Sequence, residues 1–324
     1  MKKLKILIGF VLVSFTLSCS NNNEEFYNEP QTILNIIESN SNYSGLAYAL
    51  QKTGLDSSFD GSNTNDSHTL YAPNNMAFAR FLMESGFSTI DDIPLDILKK
   101  VLLNHVMVDI IRYRDFETGY YKSAAQYING DSMTNLSIHI EQVNMRVTLN
   151  GESRITQGNV DASNGIIHAV DKIIPIPSIV TFAKADKNLG NLLLALTRSD
   201  LTTDFPTILS TELGTSPAPF TVFAPLNQAF VDLLTELNLS SLSDIDEPTL
   251  NATLTYHVIG EADAYSTDLS DNQQLNTLGG PITANISGGA TLTDGNSRVS
   301  NIIAVDIQAN NGVIHVIDKV ILPN

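Results

Sequence analysis

The chain has 324 residues, 43% apolar and 16% charged, a balance that excludes a disordered or collagen-like chain and suits two globular domains. Thirty-five acidic against 18 basic residues give a net charge of −17, which excludes nucleic-acid binding through a basic surface. With one cysteine and no tryptophan, an internal disulfide and a cysteine-built zinc site are also excluded.

Lys2, Lys3 and Lys5 precede the apolar run Ile6 to Leu17, which reads as a secretory signal peptide over residues 1–18 and is too short for a membrane span. Thr16-Leu17-Ser18-Cys19 resembles a bacterial lipobox, in which the cysteine is diacylated and becomes the new N-terminus. Thr16 departs from the leucine that pattern favours. The resemblance implies a membrane attachment through lipidated Cys19. Removing residues 1–18 takes three lysines and no acid, leaving 15 basic against 35 acidic residues and a charge of −20. Residues 19–29 begin Cys-Ser-Asn-Asn-Asn-Glu-Glu, a flexible polar tether. It is similar to the tethers of Bacteroidetes-type outer-membrane lipoproteins, some of which reach the cell surface, so the expected location is the envelope, at the outer membrane and surface-exposed.

The remainder is written twice. Thr69-Leu-Tyr-Ala-Pro-Asn-Asn-Met-Ala-Phe78 matches Thr221-Val-Phe-Ala-Pro-Leu-Asn-Gln-Ala-Phe230, and Asn164-Gly-Ile-Ile-His-Ala-Val-Asp-Lys172 matches Asn311-Gly-Val-Ile-His-Val-Ile-Asp-Lys319. The offsets, 152 and 147, make each copy a complete domain, 30–177 and 178–324, with the boundary at Pro175-Ile-Pro177. Within the first copy, Ile33, Ile36, Ile37, Leu46, Ala49 and Leu50 show helical spacing. Thr69–Ala72 reads as a strand stopped by Pro73, and Asn74 as the cap of a helix carrying Ala77, Phe78 and Phe81. Another amphipathic helix runs from Asp96 to His105. Leu136–Ile140 and Arg146–Leu149 then alternate as strands, with hairpin-turn signals at Asn150-Gly151 and, in the second copy, Asp294-Gly295. Helices first and strands last imply an α+β class in each of two units expected to fold separately.

These two blocks, in the same order in both copies, resemble the signature blocks of fasciclin (FAS1) domains over residues 30–324. The resemblance implies, for each copy, a β-sandwich or wedge of about seven strands with a small helical layer. It implies a non-enzymatic adhesion or protein-interaction module, without cofactor or resident metal, whose partner is an extracellular or envelope protein or glycan. An accessory lipoprotein of an outer-membrane polysaccharide-capture system is the alternative.

His168 with Asp171 and His315 with Asp318 suggest catalytic pairs, but side chains three apart on a strand face opposite ways. The flanking apolar residues favour buried histidines bonded to backbone. Asn164-Gly165 and Asn311-Gly312 read as turns in which glycine supplies a positive φ. His105 and His257 end helices, where an imidazole satisfies terminal carbonyls. The fasciclin resemblance adds a second reading: Tyr256-His257 matches an aliphatic-flanked Tyr-His motif proposed to contact integrins, and Asp306-Ile307 matches a second proposed contact motif. The first copy has Asn104 in place of the tyrosine and Asn159-Val160 in place of Asp-Ile. Both readings, structural and partner-binding, stay open for these four residues. The acidic loops Asp56–Asp60 and Asp244–Glu247 lack the alternating ligands and central glycine of an EF-hand and read as solvated charge.

Overall fold

The computed structural model describes residues 30–62 and 67–324. The signal segment, Cys19 and the tether lie outside the described residues. In the first copy the order is α1 (Ile33–Ser39), α2 (Ser44–Thr53), β1 (His68–Pro73), α3 (Asn75–Ser85), α4 (Leu95–Leu103), β2 (Val106–Met107), β3 (Gly119–Asn129), β4 (Ser132–Val143), β5 (Arg146–Leu149), β6 (Ser153–Ala162) and β7 (Gly165–Val170). The second copy repeats it with one added short helix, α7: α5 (Ile179–Ala185), α6 (Gly190–Leu196), α7 (Phe205–Ile208), β8 (Phe220–Pro225), α8 (Asn227–Glu236), α9 (Glu247–Tyr256), β9 (Val258–Gly260), β10 (Gln273–Thr277), β11 (Gly280–Asn285), β12 (Thr291–Thr293), β13 (Val299–Ala309) and β14 (Gly312–Ile317).

Each copy forms a seven-stranded sheet, in the orders β2-β1-β7-β6-β5-β4-β3 and β10-β11-β12-β13-β14-β8-β9. The signature blocks are interior neighbours one strand in from an edge, β1 beside β7 and β8 beside β14, the parallel pairs of otherwise antiparallel sheets. Both strands are buried on both faces, which is why they read as continuous apolar runs. Register shifts in β6 and β13 mark bulges, with Asn159 (φ 60°) and Asp306 (φ 57°) at corresponding bulge positions.

The helices cover one face of the signature strands. In the first copy Ile33, Leu46, Leu50, Phe78, Leu98 and Leu102 close this layer over Leu70 and Ile167. A second cluster, with Tyr71, Ile138, Ile140, Val147 and Leu149, fills the other side of the sheet. Asn74 caps α3 by accepting from the Ala77 N–H at 2.9 Å. Asn150 and Gly151 take positive φ, 47° and 71°, in the predicted turn between β5 and β6. Asp294-Gly295 instead opens a longer loop, in which the Asp294 carboxylate accepts from the N–H groups of Asn296 and Arg298 at 2.9 and 2.8 Å. A charged acceptor that gathers two amides favours a five-residue loop over a two-residue turn.

The expectation of two separately packed units is modified, because residues 31–324 form one compact body. Tyr120 of β3 packs edge-on against Phe182 of α5, ring centres 5.4 Å apart, and joins the helical core of the second copy. Tyr127, Ala125 and Leu136 form a further buried cluster against Leu213. Polar bonds reinforce the seam: the Tyr127 hydroxyl donates to Asp263, Lys122 Nζ donates to the Asp306 carbonyl at 3.0 Å, and the Gln308 N–H donates to Ser137 Oγ at 3.0 Å.

Candidate partner-binding surfaces

The signature residues hold backbone together, and they do so with the same atoms in both copies. Asn164 Oδ1 accepts from the Ile33 N–H at 2.9 Å, and Asn311 Oδ1 from the Ile179 N–H at 3.0 Å. Their amide groups donate to Phe59 and Leu209 carbonyls, so each asparagine ties the first helix of its domain to the last strand. At Gly165 a Cβ would lie 2.2 Å from the His68 carbonyl oxygen, and at Gly312 2.1 Å from that of Phe220. Glycine is required there by close approach of the parallel neighbour as well as by positive φ.

His168 Nε2 lies 2.9 Å from the Ile111 carbonyl, and His315 Nε2 lies 2.8 Å from that of Ala264. Asp171 accepts from the Arg154 N–H and Asp318 from the Asn301 N–H. Each histidine and its aspartate therefore engage different groups and do not converge. Burial holds both imidazoles below the ordinary histidine pKa.

His105 and His257 are a second matched pair. Nδ1 of each donates to the carbonyl one turn back, Val101 or Thr253, at 2.7 Å. Nε2 accepts from the N–H of Ile174 at 2.8 Å or Ile321 at 3.2 Å, which staples each helix end to the segment leaving the domain. A ring that must both donate and accept is neutral, and burial pushes both down to about 4.

The four residues weighed as partner contacts do not form an exposed surface. Tyr256 is 2% exposed, covered by the β10–β11 hairpin, and its hydroxyl donates to the Pro281 carbonyl at 2.6 Å. His257 and Ile307 are also buried. Asp306 accepts from the Ser266 N–H at 2.9 Å, as Asn159 accepts from the Tyr113 N–H at 2.8 Å. The Asn-to-Asp difference between copies thus preserves one structural bond. Contact through the Tyr256, His257 and Ile307 side chains does not fit this burial. Asp244 and Asp246 are helix-turn caps. Among the described residues no group of three or more His, Cys, Asp or Glu is placed to hold a metal ion, and no helix is long and apolar enough to cross a membrane.

What remains available is surface. One groove lies between the copies, lined by Ile97, Lys99, Lys100, Ile128, Leu213 and Asn310. Another hollow, of about 690 Å³, lies on the outer face of β4, β5 and β6 and carries Arg146 and Arg154.

The fasciclin domain profile matches residues 41–177 and 187–323, and the chain belongs to the fasciclin family. It is 33% identical over 151 residues to the uncharacterized protein sll1735 of Synechocystis, covering 45% of this chain and 98% of that one. A fasciclin-like arabinogalactan protein of Arthroderma benhamiae is 30% identical over 178 residues, 54% of this chain and 38% of the relative. Human periostin is 26% identical over 261 residues, 80% of this chain and 28% of periostin, so the chain spans well under half of these two longer relatives. A solved FAS1 domain pair from the insect cell adhesion molecule Fasciclin I aligns over 89% of this chain and 95% of its own, at 15% identity and a TM-score of 0.46.

Proposed function

We propose that this protein is a non-enzymatic adhesion or protein-interaction module of the cell envelope, anchored to the outer membrane by lipid on Cys19 and facing the surface. The observation that supports this reading is that the polar signature side chains hold backbone in both copies, leaving the outer faces to carry function. The family's place among adhesion and extracellular-matrix proteins agrees with it. Several acyl chains on one cysteine suffice for stable attachment where a single chain is marginal. A second reading, a glycan-binding accessory of polysaccharide capture, draws on the arginine-lined hollow. The test combines fractionation and attachment: Cys19→Ser should leave the membrane fraction, or persist as uncleaved precursor, and should abolish attachment of cells to the partner surface. Unchanged membrane fractionation with normal processing contradicts the anchor, and attachment unaffected by deleting the protein contradicts the adhesion reading.

A further inference from the structure

The outer face of β4, β5 and β6 is built in rows. Glu141 stands opposite Thr148, which stands opposite Arg154, and Val143 stands opposite Arg146. With Asn144 and Thr156 these side chains line the hollow, and its apolar floor, Val147 and Ile155, is buried beneath them.

The charges in this hollow are unusual for the chain. Of its seven arginines, Arg198 and Arg298 in the second copy hold carboxylates, as does Arg112 in the first. Arg146 and Arg154 are exposed, and among the described residues neither guanidinium has an ion-pair or hydrogen-bond partner. Two carboxylates also line the hollow: Glu141, paired with Lys187 at 2.5 Å, and Asp171, one oxygen of which accepts the Arg154 backbone N–H. In the second copy the residue matching Arg154 is Asn301, whose side-chain amide donates to Asp318 at 2.7 Å. The fold is therefore complete with a short residue there, and the two arginines serve no bond that the scaffold requires. The turn carrying exposed Arg114 is tied to the rim by the Tyr113 hydroxyl, which donates to the Met145 carbonyl at 2.6 Å.

We infer that this hollow binds an acidic polysaccharide, its carboxylate or sulfate groups held by Arg146 and Arg154. A planar guanidinium takes such oxyanions bidentately. Thr148, Thr156 and Asn144 offer donors and acceptors for sugar hydroxyls. A protein partner fits less well, because interfaces are anchored by large side chains in desolvated pockets, and here the apolar floor is sealed while the backbone of all three strands is paired within the sheet. The chain's overall negative charge is screened beyond about 8 Å at physiological ionic strength, so the local arginine pair decides attraction at contact. This inference rests on the protein being a binding module.

The experiment measures binding of the purified full chain to polygalacturonate and to heparin, beside neutral dextran and poly-L-glutamate. Saturable binding to one or both acidic glycans is expected, at least tenfold tighter than to dextran or poly-L-glutamate, and the preferred probe distinguishes carboxylate from sulfate. Arg146→Gln with Arg154→Gln should weaken it at least tenfold with an unchanged melting temperature, while Arg80→Gln, outside the hollow, should leave it intact. No saturable binding to either glycan, equal binding of poly-L-glutamate, or undiminished binding by the double variant overturns the site. Attachment of cells by a wild-type chain that binds neither acidic glycan overturns this site alone and leaves the module reading standing.

Discussion

The Tyr120 hydroxyl donates to Asp186 at 3.0 Å, joining strand β3 of the first domain to the end of α5 in the second. Asp186 also accepts from the Asn188 N–H at 2.9 Å, so one carboxylate caps the start of the 3-10 turn Lys187–Leu189 and closes the seam between domains. Burial, together with this carboxylate, pushes the Tyr120 phenol up, which keeps it a proton donor. Tyr120→Phe leaves a buried carboxylate oxygen short of a partner and should cost about 1–3 kcal/mol, read from urea unfolding. The wild-type chain should unfold in one transition seen by all probes. Two well-separated transitions would show that the seam does not couple the domains.

The histidine staples make stability depend on pH. His105 and His257 fall from 6.5 to about 4 on folding, so between these values the unfolded chain binds more protons and stability rises with pH. Their contribution is fully present above pH 6.5 and lost as pH falls toward 4. At the acid limit it amounts to about 3 kcal/mol for each ring. His139, His168 and His315, lowered chiefly by burial, act in the same direction. Unfolding free energy measured from pH 7.5 to 4 should fall steadily below 6.5, and His105→Asn with His257→Asn should flatten the slope while lowering the plateau. A wild-type profile flat over this range contradicts neutral buried rings.

Gly165→Ala and Gly312→Ala should each destabilise by more than about 3 kcal/mol, since the added carbon meets a neighbouring carbonyl of a buried strand pair and φ is positive. Gly214→Ala, where nothing lies within 4 Å, carries only the backbone cost of φ 89° and should be milder. Thermal melts of the three variants check the ranking. Equal losses would remove close approach as the reason for the signature glycines.

Tyr256→Phe removes the hydroxyl that bonds the Pro281 carbonyl and the Gly295 backbone, and should cost about 1–2 kcal/mol. Partner or surface binding by the folded variant should be unchanged. Binding lost at unaltered stability would restore the contact role that burial argues against.

Much of the architecture was legible because the signals were local or repeated. Asn164-Gly165 and Asn311-Gly312 stand before apolar runs that only a buried strand accommodates, and Asn74 stands one residue before its helix. The burial of His168 and His315 followed from their apolar flanks. Tyr256 was ambiguous because its cover, the β10–β11 hairpin, arrives about 25 residues later in the chain. The seam was invisible: Tyr120 meets Asp186, and Tyr127 meets Asp263, through contacts of unlike surfaces that leave no mark on a repeat alignment. Arg146 and Arg154 sit on successive strands, and the β5–β6 pairing that places Arg154 opposite Thr148 is what sets them on one face.

The central claim, that the folded pair of domains binds through its outer faces, is tested most directly by coating beads with residues 30–324 and measuring their attachment to envelope surfaces with soluble protein as competitor. Attachment should be saturable, displaced by the soluble chain and retained by Tyr256→Phe. Attachment that soluble protein does not displace, or none to any envelope surface, would contradict that claim.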